Sequence, residues 1–407
     1  MNRDIHLLEK IEKELSLKEL QIKSLLTITQ AINDNVPADG LFNMYRSFLS
    51  WEMGIEKMIL FIRQTEKWKS AANINVEEDY KKELVQECLS HKRLHTIKET
   101  DHPYLRLFDI IIPVFHKDEP IAYALIGGIK DKEDIYNKIQ FITTITNIIA
   151  VAIENKRLFK RQIRQERINK ELELAKEFQQ RLIPENIPKG DLYDIDTYYK
   201  PHFNIGGDYL DFMKFSEDKF SVVIADISGK GVAAALLMSN FQAMLQSLVF
   251  QYRDLETFVF ALNQAVYRIT KSDKFITFFI AEINTSTREM TYINAGHYPP
   301  LLYNGGELRE LKTGSSVIGA FEKLPFINEE RIKLEHDAFL FCFTDGLVDL
   351  KNNAGHYYEE SMVKQFLNNN KDLSSSDFNK KLIEEIELFK EEQEYVDDIA
   401  LLTAKIF

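Results

Sequence analysis

Short acidic motifs recur along the C-terminal half of this 407-residue chain and could place several carboxylates around one reaction centre. Four motifs carry aspartate and one carries histidine: Gly206-Gly207-Asp208, the segment 226–231 (Asp-Ile-Ser-Gly-Lys-Gly), Asn294-Ala295-Gly296-His297, Thr344-Asp345-Gly346 and Asp397-Asp398. A single Asp-Gly pair is typical of a plain turn. Several such motifs in one domain instead favour a shared site, and ionised carboxylates that converge repel one another unless a cation neutralises them.

The residue types indicate which cation this would be. Sites made only of carboxylate and carbonyl oxygens suit Mg²⁺ or Mn²⁺. Two such ions about 3.5 to 4 Å apart can share a water, lower its pKa and direct it at a phosphorus atom. The predicted chemistry is therefore phosphate hydrolysis at two Mg²⁺ or Mn²⁺ ions.

Strands are predicted to position these aspartates. Apolar runs at 220–225, 339–343 and 399–402 adjoin three of the aspartate motifs and are rich in Phe, Val and Ile. A carboxylate at a strand end is held by a rigid sheet, and a neighbouring glycine lets backbone and ligand approach closely. Further strands are predicted at 193–200, 209–215, 275–284 and 290–294, with helices at 232–250 and 255–271 between them.

From about residue 191 to the C-terminus, the motifs and their order resemble the SpoIIE-type serine phosphatases, a bacterial branch of the PPM (protein phosphatase type 2C) superfamily. The matching stretches are Gly206 to Asp211, Ala225 to Gly231 followed by three alanines, Asn294 to Pro300, Thr344 to Leu347 and Asp397 to Ala400. The resemblance implies two antiparallel sheets packed face to face with helices outside. It also implies a metal-dependent protein serine/threonine phosphatase.

The resemblance further implies a metal-ligand set. Asp226 would bridge two Mn²⁺ or Mg²⁺ ions, the Ile227 carbonyl would add a ligand, Asp345 and Asp397 would hold one ion, and Asp208 would serve the other. Asp211 and Asp398 are second-choice ligands that could instead bind ligand waters or cap backbone groups. No catalytic residue is expected beyond the metal-bound water.

The sequence departs from the wider PPM superfamily at three positions, and the superfamily's residue roles are not assigned there. Ser228 stands where eukaryotic members have a histidine proposed as the acid for the leaving group, so no general acid is assigned. No basic phosphate-binding residue matches near Asp208. We interpret His297, which lies between Gly296 and two prolines, as stabilising a turn rather than acting in catalysis.

Residues 20–155 resemble a GAF domain, chiefly through a predicted strand at 109–115 and a second at 121–129. Two more strands are predicted at 57–63 and 67–73, after helices at 1–33 and 41–51 and before a long helix from about residue 132. This order predicts an α+β sandwich. The resemblance to a GAF domain implies a sensory role. Its ligand cannot be predicted.

The connector at 156–188 is predicted to be helical and basic in its first half. Ile168, Leu172, Ala175, Phe178 and Leu182 follow at spacings of four and three, which is typical of a short coiled coil and favours a parallel homodimer. Pro184 and Pro188 would end the helix.

Composition excludes several classes of protein. The net charge of −12 disfavours nucleic acid as a partner. Cys88 and Cys342 stand in apolar contexts, so neither a disulfide framework nor a cysteine zinc site is expected. We found no signal sequence and no membrane span in the sequence, and we expect a cytoplasmic protein.

The sequence thus predicts four segments: an N-terminal helix (1–19), a GAF-like sensor (20–155), a coiled-coil linker (156–188) and a SpoIIE/PPM-type phosphatase domain (189–407). By family resemblance, the substrate is a phosphorylated STAS-domain antagonist of an anti-sigma factor. The alternative is a non-catalytic sensor and scaffold that retains the fold and binds a signalling partner.

Overall fold

The structure is a computed structural model that describes residues 2–64, 67–76, 81–129, 135–184, 187, 190–252 and 254–407. The chain divides into two compact units, Met1–Glu166 and Arg167–Phe407. One long helix, α4, begins in the first unit and ends in the second.

The first unit is built on one antiparallel sheet with the strand order β2-β1-β5-β4-β3. Its strands are β1 (Lys57–Gln64), β2 (Lys67–Ile74), β3 (His95–Thr96), β4 (Ile110–His116) and β5 (Glu119–Gly127). Its helices are α1 (Asn2–Asn33), α2 (Ala38–Ser47), α3 (Lys81–Cys88) and the first part of α4 (Ile135–Gln180), with a π-helical turn at Phe48–Glu52.

Alternating residues of this sheet face two separate cores, as the pleat of a strand requires. On β1, Met58 and Leu60 pack with residues of α1, α2 and α4. Ile59 and Phe61 pack on the opposite face with residues of α3, including the buried Cys88.

Two helices, antiparallel strands and a long final helix occur in the predicted order, and the limits of the predicted strands agree within two residues. Helix α3, which lies between β2 and β3, was not predicted. The predicted helix start near residue 132 lies outside the described residues. Strand β3 was not predicted, because two residues are too few to carry a periodic signal.

The second unit contains two sheets. One has the order β13-β10-β9-β8-β7 with β14 also paired to β10, and the other has the order β12-β11-β15-β16-β6. Their strands are β6 (Tyr193–Lys200), β7 (Tyr209–Lys214), β8 (Lys219–Ile227), β9 (Ile276–Asn284), β10 (Glu289–Ala295), β11 (Leu301–Asn304), β12 (Glu307–Glu310), β13 (Gly314–Ser315), β14 (Glu330–Lys333), β15 (Ala338–Phe343) and β16 (Ile399–Ile406).

The two sheets pack face to face, and helices cover their outer faces. Val222 and Ile280 of one sheet share a core with Leu340 and Leu402 of the other. Helices α5 (Val232–Val249) and α6 (Leu255–Thr270) join this core, while α7 (Glu360–Asn370) and α8 (Ser375–Lys390) pack against the far face of the second sheet. The predicted layered architecture of this unit is thereby confirmed.

Helix α5 alone among the described helices is long and apolar enough to cross a membrane by length and composition. The sequence analysis overlooked this. Its Met238, Phe241 and Leu245 are fully buried in the core of the second unit, so α5 packs as a core helix.

The predicted seam of the connector is wrong at its C-terminal end. Helix α4 ends at Gln180, and Leu182 lies in the following turn, where it packs against the core of the second unit. Leu172 is only half exposed and lines a hollow with His202 and Phe203. Pro188 lies outside the described residues.

An apolar stripe that shares only Phe178 with the predicted seam is exposed on α4. It consists of Phe159, Ile163, Leu174 and Phe178, which are 62%, 49%, 66% and 69% exposed. With 3.6 residues per turn, these four side chains fall within about 100° of one another around the helix axis. The stripe is thus available to a partner in a way that Leu182 is not.

Candidate active site

The two sheets of the second unit each bring two predicted aspartates to the same end of the sandwich. Asp208 directly precedes β7, and Asp226 lies near the end of β8, opposite Thr277 of β9. Asp345 follows β15, and Asp397 precedes β16, which pairs with β15.

The pKa values show that these carboxyl groups interact. Burial raises the pKa of Asp226 to about 7, and repulsion from Asp345, Asp397 and Asp398 adds to the rise. Burial likewise raises the pKa of Asp208 well above its ordinary value, with Asp226 the next largest cause. The structure therefore brings together the four aspartates that were predicted as metal ligands.

Asp208 is the most deeply enclosed member of the set. Its side chain is 2% exposed, and its Oδ2 has no hydrogen-bond partner among the described residues. The Thr344 side chain forms a hydrogen bond to the Asp208 carboxyl group, and Asp208 can share a further one with Asp226. A buried carboxylate oxygen without a partner is costly unless a cation or a proton satisfies it.

The carboxylates do not form a closed cage. Within the described part of the chain, no group of three or more His, Cys, Asp and Glu side chains has the spacing of a complete metal site. Asp397 Oδ2 instead lies 2.7 Å from the ammonium group of Lys230, which also donates to the Val396 carbonyl at 2.7 Å. One member of the set is thus paired with a cation from the protein itself.

The donor set nevertheless fits a hard divalent cation. It offers only oxygen ligands, it contains a buried oxygen without a partner, and its charges repel. Asp208, Asp226, Asp345 and Asp397 would hold the ions, with the Ile227 carbonyl next to Gly207 as a further donor. Bound Mg²⁺ or Mn²⁺ would supply Lewis-acid activation of water and of the phosphoryl group.

The two second-choice ligands have other partners. Asp398 accepts hydrogen bonds from the backbone N–H groups of His202, at 2.7 Å, and Gly207, at 2.6 Å. Asp211 accepts from the Phe212 N–H at 2.8 Å and from the Tyr209 hydroxyl. Asp398 therefore fixes the loop that carries Asp208, whereas Asp211 braces β7.

Glycine is required where this loop meets Asp398. A Cβ atom on Gly206 would clash with the Asp398 carboxylate and the Tyr199 hydroxyl. A Cβ atom on Gly346 would clash with the Asp398 carbonyl oxygen. Close backbone approach, rather than turn formation alone, explains the glycines beside Asp208 and Asp345.

Ser228 is engaged with the backbone. Its Oγ accepts the N–H of Phe275 at 2.9 Å, and its own N–H donates to the Phe275 carbonyl at 2.9 Å. The serine therefore joins the end of β8 to the residue before β9, which is a structural role.

The predicted turn is present at His297, and the His297 backbone rather than its imidazole takes part in it. Asn294 holds the turn, because its Oδ1 accepts the His297 N–H at 2.8 Å. The imidazole is buried and lies 2.9 Å from the Thr277 hydroxyl through Nδ1. It lines a cavity of about 300 Å³ together with Asp226 and Asp345.

Sequence reasoning missed Lys230 and Thr344. Lys230 is held 2.7 Å from Asp397, and Thr344 accepts the Ala400 N–H at 3.0 Å while bonding Asp208. Both residues stand inside the motifs that carry Asp226 and Asp345, so a signal was present.

Comparison with known proteins gives matches to phosphatases. Residues 216–407 match the family model described as Stage II sporulation protein E (SpoIIE). The chain is 27% identical over 234 residues to the phosphoserine phosphatase RsbU of Bacillus subtilis, covering 57% of this chain and 69% of RsbU. It is 28% identical over 186 residues to the phosphoserine phosphatase RsbP of the same organism, covering 44% of this chain and 45% of RsbP.

Among solved structures, the SiaA-PP2C domain of Pseudomonas aeruginosa is similar with a TM-score of 0.54 and 18% identity. The similarity covers 60% of this chain and 98% of that domain. At this level of identity it establishes the fold of the second unit as that of PP2C.

We expect Asp226→Asn to abolish hydrolysis of p-nitrophenyl phosphate at saturating Mn²⁺ and yet to raise the melting temperature in EDTA at pH 8. The folded-state pKa of about 7 exceeds the ordinary 3.8, so the folded protein binds this proton more tightly. Asp226 therefore destabilises the metal-free fold increasingly as pH rises from about 4 to 7. Asparagine removes this penalty, and calorimetry at pH 5 and pH 8 should show the larger gain at pH 8.

Asp345→Asn should abolish turnover in the same way, whereas Asp218→Asn, at an exposed position, should change neither turnover nor melting temperature. Near-native turnover by Asp226→Asn or Asp345→Asn at saturating Mn²⁺ would mean that the ligand assignment is incorrect.

We expect Ser228→Ala to lower kcat by less than about tenfold, because a true general acid contributes roughly 10²- to 10⁴-fold and the Ser228 hydroxyl already pairs with the Phe275 N–H. Steady-state kinetics on a phosphoserine peptide would measure the loss. A decrease of several hundredfold, with an unchanged melting temperature, would reveal a direct role for the hydroxyl.

Proposed function

We propose that this protein is a SpoIIE-type serine/threonine phosphatase that dephosphorylates a phosphoprotein of bacterial signalling, using Mn²⁺ or Mg²⁺ held by Asp208, Asp226, Asp345 and Asp397. The match of residues 216–407 to the SpoIIE family model and the PP2C fold of the second unit support the proposal. One observation carries the proposal. The strand ends of two facing sheets bring these aspartates together, and burial with like-charge repulsion raises the pKa of Asp208, Asp226 and Asp345. Such a cluster is unfavourable for stability and is suited to binding cations.

The alternative is a scaffold that has kept the fold and lost the reaction. A scaffold has no need to bury aspartates that repel one another, and mutation would relieve the penalty. Asp208 is instead fully enclosed, with one carboxylate oxygen left without a partner. The burial of this unpaired oxygen therefore favours an enzyme over a scaffold.

The proposed substrate is a phosphoserine or phosphothreonine on a STAS-domain antagonist of an anti-sigma factor. The similarity to RsbU and RsbP, both named phosphoserine phosphatases, supports the chemical class of the substrate. The STAS partner follows from the family resemblance of the motifs. The chain covers less than half of RsbP, so the control of this activity need not follow that relative.

The decisive experiment incubates the protein with phosphorylated STAS proteins of the same genome and Mn²⁺, and follows phosphate release. Asp226→Asn serves as the inactive control. Release from one STAS protein, with no release by the variant, is expected. Metal-dependent turnover of p-nitrophenyl phosphate without phosphate release from any STAS protein would support the phosphatase activity and refute the proposed STAS substrate. No turnover of either substrate would favour the scaffold.

We also propose that a GAF-like first unit controls the phosphatase through α4 in a parallel homodimer. The arrangement of two helices, an antiparallel sheet and a long final helix supports the GAF-like assignment. The exposed stripe of Phe159, Ile163, Leu174 and Phe178 supports pairing of two helices, because large apolar side chains repeated on one face of a helix are typical of a helix–helix contact.

Leu174→Lys should weaken the dimer, because a charge in an apolar helix–helix contact costs free energy unless it is paired. Sedimentation at micromolar concentration should show a shift toward monomer, with a larger change in activity on the phosphoprotein than on p-nitrophenyl phosphate. The adjacent Ala175→Lys is the matched control, since Ala175 belongs to the seam that was predicted from sequence. A shift toward monomer with Ala175→Lys but not with Leu174→Lys would favour the seam predicted from sequence. If both variants remain dimeric, α4 only connects the two units and does not form the dimer contact.

A further inference from the structure

His297 is a buried polar side chain that the proposed function does not yet use. It is 5% exposed, and burial lowers its pKa to about 4, so the imidazole is neutral at physiological pH. Its Nε2 has no hydrogen-bond partner among the described residues. A buried nitrogen of this kind calls for an explanation, because leaving it unpaired is costly.

The position of the ring suggests what it could bind. His297 lines the cavity of about 300 Å³ that Asp226 and Asp345 also line. Its Nδ1 lies 2.9 Å from the hydroxyl of Thr277, the residue opposite Asp226 in the β8–β9 pairing. The imidazole is thereby fixed beside the carboxylates, and Nε2 is the nitrogen left for a ligand in the cavity.

The contact between Nδ1 and the Thr277 hydroxyl is compatible with either tautomer of the neutral ring. When the Thr277 hydroxyl donates to Nδ1, the single proton of the neutral ring resides on Nε2. Nε2 is then a neutral hydrogen-bond donor in a cavity whose other charged groups are acceptors.

We propose that His297 Nε2–H donates a hydrogen bond to the seryl oxygen of the substrate as it leaves phosphorus. This proposal rests on the proposed phosphatase function. In the reaction, a water oxygen forms a bond to phosphorus and that water releases one proton to solvent. The bond between phosphorus and the seryl oxygen breaks, and its electron pair goes to the seryl oxygen. That oxygen takes a proton delivered from solvent and leaves as serine hydroxyl. His297 keeps its own proton and stabilises the developing negative charge.

This role fits what the other side chains near the site do. The Ser228 oxygen accepts the Phe275 N–H, and Lys230 is paired with Asp397. A serine alkoxide is a poor leaving group and depends on a donor, whereas p-nitrophenolate leaves readily without one. Activity on the two substrates therefore distinguishes two roles for His297. A donor to the leaving oxygen matters mainly for phosphoserine, whereas a residue that only shapes the site matters equally for both substrates.

The test compares His297→Ala with the parent on a phosphoserine peptide and on p-nitrophenyl phosphate at saturating Mn²⁺. We expect kcat on the peptide to fall by roughly 100-fold, the usual loss for one donor to a developing charge, and kcat on p-nitrophenyl phosphate to fall by less than about fivefold. His297→Gln, which keeps a neutral N–H donor, should restore part of the peptide activity. Mn²⁺ affinity measured by calorimetry should stay within about twofold of the parent in both variants.

His356→Ala is the matched control, because the His356 N–H also donates to an asparagine Oδ1, that of Asn352 at 2.9 Å, but the His356 side chain is exposed. It should leave both activities unchanged. Equal losses on the two substrates, a loss of Mn²⁺ affinity that accounts for the decrease, or no loss at all would each overturn the proposal. If His297→Ala fails to fold, the losses of kcat on the peptide and on p-nitrophenyl phosphate are compared for His297→Gln and Thr277→Val instead. A parent inactive on both substrates would refute the phosphatase function itself.

Discussion

Repulsion among aspartates buried where two sheets meet is the constraint on which the second unit depends. Desolvation and like charge act together on Asp208 and Asp226, and no single strand could hold either carboxylate in place against them. The opposing force comes from the large apolar core between the sheets, in which Val222, Ile280 and Leu340 are buried. The stability of that core permits an unfavourable charge arrangement at its end.

Smaller features of the site also counter the repulsion among the aspartates. The Asp398 carboxylate accepts hydrogen bonds from two backbone N–H groups, which stabilise its negative charge. The same bonds fix the loop before β7. Lys230 brings one cation against Asp397. The glycines at 206 and 346 let these groups approach more closely than any side chain would allow. The motif residues around each aspartate thus serve to hold charge in place.

Much of this could be predicted from sequence, because strand periodicity and motif order are local properties. The strands next to Asp226, Asp345 and Asp397 were predicted within a few residues. Contacts between side chains that are distant in sequence could not be predicted in this way. The contact of Lys230 with Asp397 joins residues far apart in sequence, and Leu182 packs against the core although its spacing fits the coiled-coil pattern. Spacing identifies an apolar stripe, but only tertiary packing determines which stripe is covered.

The elevated pKa of Asp226 has a consequence for the charge of the whole molecule. The formal net charge of −12 assumes that every aspartate is ionised. With a pKa of about 7, Asp226 is about half protonated in the metal-free protein near neutral pH, and the more deeply buried Asp208 shares the same tendency. A divalent ion that binds here must displace those protons. Metal binding at these aspartates would therefore also release protons. Its enthalpy would depend on the buffer that takes up the protons, and its affinity would increase with pH.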